Sequence, residues 1–101
     1  MYEYHAKVVR WVDGDTVDMV VDLGFKMTAH QRFRIYGLDT PERGEDGYHK
    51  AQWLAETSFP VGSEVVIRTV KPLASDKYGR YLIHLPYLVD VMTDAGLNKL
   101  A

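Results

Sequence analysis

The chain has 101 residues, a formal net charge of −2, and 47% hydrophobic and 26% charged residues. That balance excludes a disordered or membrane-embedded chain and suits one globular domain, residues 1–101, large enough to bury its own core. Cysteine is absent, which excludes disulfides and thiolate metal sites, and the slight acidity argues against a protein that coats nucleic acid through bulk positive charge. No window approaches a membrane span. Met1-Tyr2-Glu3-Tyr4-His5 lacks the basic start and apolar run of a signal peptide, so a cytoplasmic location is expected.

In chain order, a first strand is predicted from Tyr4 to Trp11, with Ala6 and Val8 on one face and Val9 and Trp11 on the other. It leads into Asp13-Gly14-Asp15. Val17, Met19 and Val21 alternate with Asp18, Val20 and Asp22, giving a second strand with one inner face. Leu23-Gly24-Phe25 reads as a turn, and a third strand runs from Lys26 to Leu38 with Met27, Ala29, Phe33 and Ile35 inward or intermediate. Arg32, Arg34 and Tyr36 share the opposite parity.

Pro41 ends that strand and opens a polar, glycine-rich loop through Gly47. Tyr48 to Phe59 is the best helix, with Ala51, Leu54, Ala55 and Phe59 at helical spacing and Trp53 read as core. Glu64 to Val70 and Tyr81 to Leu85 are the last two strands, joined by a loop that ends in a hairpin turn at Lys77-Tyr78-Gly79-Arg80. A short helix from about Val89 is stopped by Gly96. Five short strands with a helix between the third and fourth is the layout of an OB-fold barrel, β-β-β-α-β-β-α.

Three acids and two guanidiniums fall at strand ends of this layout. Asp15 and Asp39, with a backbone carbonyl and waters, would make an all-oxygen site suited to Ca²⁺ or Mg²⁺. The competing reading is that Asp13-Gly14-Asp15 and Asp39-Thr40-Pro41 are ordinary turns. Glu42 sits on an exposed loop where a carboxylate can deprotonate a water. Arg34 and Arg80 have the fork geometry that matches phosphate oxygens, although a lone strand arginine commonly serves an ion pair. Lys77 and Tyr78 either hold a neighbouring phosphate or shape the hairpin. Glu45 and Asp46 read as solvated loop acids, and the four histidines have no metal-ligand spacing.

Asp13-Gly14-Asp15-Thr16, Phe33-Arg34 through Asp39-Thr40-Pro41-Glu42, and Asp76-Lys77-Tyr78-Gly79-Arg80 resemble, in order and spacing, the three signature blocks of the staphylococcal nuclease family. The resemblance runs from about Lys7 to Leu97. It implies an OB-fold and a Ca²⁺-dependent phosphodiesterase acting on single-stranded DNA and RNA with little sequence preference. Asp15, Asp39 and the Thr40 carbonyl would ligate the metal, and Asp13 would stand behind them. Glu42 would act on the attacking water, Arg34 and Arg80 would hold the scissile phosphate, and Lys77 and Tyr78 would contact a terminal phosphate.

Family members usually continue into a tyrosine-bearing segment and a third helix, which this chain lacks, so a homodimer covering that face is one expectation. The rival to the nuclease is a catalytically weak OB-fold module that binds nucleic acid or a protein partner.

Overall fold

The computed structural model describes residues 3–69 and 81–101. The predicted loop from Lys71 and the hairpin turn with Lys77, Tyr78 and Arg80 lie outside the described residues. Five strands, β1 (Glu3–Asp13), β2 (Thr16–Gly24), β3 (Met27–Ile35), β4 (Glu64–Thr69) and β5 (Tyr81–His84), close in the order β1-β2-β3-β5-β4. All pairs are antiparallel except β3 with β5. Helix α1 (Tyr48–Ser58) follows β3 and α2 (Pro86–Asp94) follows β5. The molecule is mainly β, with the ring closure and helix placement of an OB-type barrel. No helix among the described residues is long and apolar enough to cross a membrane.

Alternation in β2 works as the sequence implies: Val17, Met19 and Val21 are buried inside the ring. In β1 it does not. The pairing with β2 shifts between Val8↔Met19 and Arg10↔Asp18, a bulge that spends one residue and reverses the side-chain parity. Val9 is therefore exposed, and Trp11 joins Ala6 and Val8 in the core instead of facing away. Its indole Nε1–H donates to Phe59 O (2.9 Å), the residue that closes α1, so the bulge also fixes where the helix docks.

Three further differences have local causes. β3 stops at Ile35, short of Leu38, because Gly37 takes a left-handed φ of 78° that no strand continues through. Met27 at its start is exposed. α2 begins at Pro86 rather than near Val89, since proline at the first helical position forfeits only an N–H that would be unpaired there anyway. Trp53 is 60% exposed on α1, so it is not core; Tyr48, Ala51 and Ala55 are the buried residues of that helix.

The small side chains of α1 let it press on the β1–β2 turn. A Cβ at Gly14 would stand 2.9 Å from Ala51 Cβ and 3.0 Å from Thr40 Oγ1. Gly14 is thus required for close approach: its bare Cα lets the turn, the helix and the segment after β3 meet at one end of the barrel.

Candidate active site

Two backbone connections bring the acids to this barrel end. Thr16 pairs with Arg34 across β2 and β3, and Ile35 N–H donates to Asp15 O (2.9 Å). The Asp-Gly-Asp turn therefore faces the exit of β3, where the chain runs on to Asp39 and Thr40.

Asp15 is buried, and each of its carboxylate oxygens accepts one hydrogen bond. Oδ1 accepts from the Thr16 hydroxyl (3.1 Å), and Oδ2 accepts from Thr40 N–H (3.1 Å). Arg34 Nη2 stands 3.7 Å from Asp15 Oδ2 and donates to Asp39 Oδ1 at 3.2 Å. One guanidinium nitrogen thus reaches both carboxylates, and it also touches Leu38 O (3.4 Å). Asp13 Oδ1 accepts from the Tyr48 hydroxyl (3.1 Å).

Burial pushes the Asp15 carboxyl above the ordinary aspartate range. Thr40 N–H, the Arg34 charge and the Thr16 hydroxyl pull it back without cancelling the effect. The fold therefore favours protonated Asp15 more than the unfolded chain does. That contribution to stability is complete below the unfolded pKa and is lost as pH rises through the raised folded value. Asp15→Asn, which keeps the volume and an acceptor but no charge, is expected to raise Tm by a few degrees at neutral pH without added metal. The gain should shrink on acidification. Melting curves at several pH values check it, and a lower Tm at neutral pH would mean that the Arg34 pairing outweighs the cost of burial.

Glu42 lies on the exposed loop after Pro41. Its backbone N–H donates to Glu45 Oε1 (2.7 Å), and its own carboxylate forms no hydrogen bond with another described residue. The predicted cluster is thus drawn together at Asp15, Asp39 and Arg34. Glu42 follows on the loop after Pro41, exposed to solvent.

Among the described residues, no three His, Asp or Glu side chains gather as a ready metal cage. The donors present are nonetheless all oxygen. Beside the two aspartates lies the buried Thr40 Oγ1, which has no hydrogen-bond partner among the described residues. This set fits a hard divalent cation with waters completing its shell, and does not suit zinc.

Glu45 is the solvated loop acid that was expected, and it also accepts from Glu42 N–H and Lys99 Nζ. Sequence reasoning missed one residue here. Asn98, buried near the C-terminal end of the chain, donates to Gly37 O and accepts from Asp39 N–H (both 3.1 Å). The available signal was weak: an asparagine two residues after Gly96 reads as part of a helix stop.

The barrel end thus carries two carboxylates bridged by one arginine. No family profile matches the chain. Over 81 residues it is 35% identical to the micrococcal nuclease of Shigella flexneri, a match that takes in 79% of this chain and 41% of that protein. The chain therefore spans less than half the length of this curated relative. The similarity supports a staphylococcal-nuclease-like family for the chain.

Proposed function

We propose that this chain carries the catalytic site of a Ca²⁺-dependent nuclease that hydrolyses phosphodiester bonds of single-stranded DNA and RNA with little sequence preference. The observation that carries the reading is Arg34 standing between Asp15 and Asp39 at the barrel end. The similarity to a micrococcal nuclease supports it.

Asp15, Asp39 and the Thr40 backbone carbonyl would hold Ca²⁺, with Asp13 behind them. Bound there, the ion would offset charge on the phosphate and make a neighbouring water more acidic. Arg34 carries its guanidinium to the same place, and with Arg80 it grips the non-bridging phosphate oxygens as negative charge grows on them. Glu42, three residues after Asp39 in the chain, takes a proton from the attacking water. The water oxygen bonds to phosphorus, the bond to the 5′ oxygen breaks, and that oxygen leaves with a proton from solvent. A 3′-phosphate remains. Lys77 and Tyr78 contact a terminal phosphate in this scheme.

The chemistry of the ends tests the bond assignment. Products of single-stranded DNA should resist extension by a polymerase until a phosphatase removes the 3′-phosphate. Fragments that extend at once would show that the other P–O bond is cut.

A further inference from the structure

The segment after α2 reaches back to the site, and its path follows from local chemistry. Gly96 takes a left-handed φ of 73°, and Leu97 N–H returns to Met92 O (2.8 Å), a Schellman-type helix ending. Leu97 then packs over Gly47, where an added Cβ would stand 2.7 Å from its Cδ2. This delivers Asn98 beside the β3 exit.

Both ends of the Asn98 amide are saturated. Oδ1 accepts from Asp39 N–H and Leu100 N–H, and Nδ2 donates to Gly37 O and the Thr93 hydroxyl, all at 3.1 Å. Turning the amide over would aim its NH₂ at two backbone N–H donors, so the partners fix its orientation. The next residue continues the hold: Lys99 N–H donates to Asp39 O (2.8 Å). The peptide groups on both sides of Asp39 are thus gripped by one distant segment while Arg34 takes its carboxylate. Lys99 Nζ also reaches Glu45 Oε1 (3.0 Å), the atom that accepts Glu42 N–H. That last pair is exposed and contributes little by itself. The buried Asn98 network is the stronger restraint.

We infer that Asn98 is a positioning residue for the proposed nuclease, holding the Asp39 backbone so that its carboxylate stays fixed toward the metal and Arg34. The inference rests on the Ca²⁺ site proposed above. It is separable from catalysis, because the metal can be titrated directly.

The test compares the parent chain, Asn98→Ala and Val89→Ala by Ca²⁺ calorimetry and by steady-state cleavage of single-stranded DNA. Val89, on the helix that precedes the Asn98 segment, packs partly buried against the core, so it controls for lost stability. Asn98→Ala should weaken Ca²⁺ binding and lower kcat, each by roughly 10–100-fold, with KM little changed. Val89→Ala should leave both near parental values. Unchanged Ca²⁺ affinity in folded Asn98→Ala overturns the inference, as does an equal loss in Val89→Ala. A parent that binds Ca²⁺ yet cuts nothing contradicts the nuclease reading while the affinity comparison still decides the role of Asn98. A parent that does not bind Ca²⁺ ends both.

Discussion

Glu42→Gln is expected to lower kcat by roughly two to four orders of magnitude while leaving the melting temperature within a degree or two of the parent. The amide keeps the side chain's volume but cannot accept the water's proton at neutral pH. Because the Glu42 carboxylate makes no hydrogen bond with another described residue, little stability should go with it. Its backbone N–H, which Glu45 holds, is untouched by the change. Single-turnover cleavage of single-stranded DNA at saturating Ca²⁺ measures the effect. Parental rates would remove Glu42 from the chemistry and leave another group to take the proton.

Arg34→Gln should be nearly as severe for a different reason, at roughly 10²–10³-fold in kcat, the usual cost of deleting one donor to developing negative charge. It should also change how the protein responds to calcium. Without the guanidinium, buried Asp15 loses a cation at 3.7 Å and Asp39 one at 3.2 Å, so the metal-free protein should be less stable by about 1–3 kcal/mol. Saturating Ca²⁺ should restore more of that stability than it adds to the parent, because it then meets two uncompensated carboxylates. Paired melts with and without Ca²⁺ read this directly. A rate within tenfold of the parent would confine Arg34 to the ion pair that the structure shows.

Much of the fold could be read in advance because local chemistry and tertiary packing agree over most of the chain. Val17, Met19 and Val21 alternate without interruption, and the ring buries that face. The C-terminal end of α1 at Ser58 follows from Pro60 and Gly62 just beyond it. What escaped was set by long-range pairing. The bulge between Val8 and Arg10 exists only in register with β2, and nothing in Val8-Val9-Arg10-Trp11 announces it. Trp53, placed among apolar helical neighbours, looked buried; the helix instead buries Tyr48, Ala51 and Ala55, with Ala51 meeting Gly14 so closely that a Cβ there would stand 2.9 Å away.

The candidate site divides the same way. Asp15, Asp39 and Arg34 were legible because turn and strand chemistry put two acids and one arginine at strand ends, and pairing between β2 and β3 joins those ends. Asn98 was not, because its importance lies in bonds to Gly37 and Asp39, some sixty residues earlier in the chain. Lys77, Tyr78 and Arg80 rest on their sequence block.

Hydrolysis of nucleic acid at the end of this barrel, with a divalent cation bound there, can be decided by a single incubation. Single-stranded DNA is mixed with the purified chain and Ca²⁺, and a parallel sample receives excess EDTA. Progressive shortening is expected in the first and intact DNA in the second, with cleavage restored when Ca²⁺ is returned. Intact DNA in every lane, or equal cleavage with and without chelator, would contradict it.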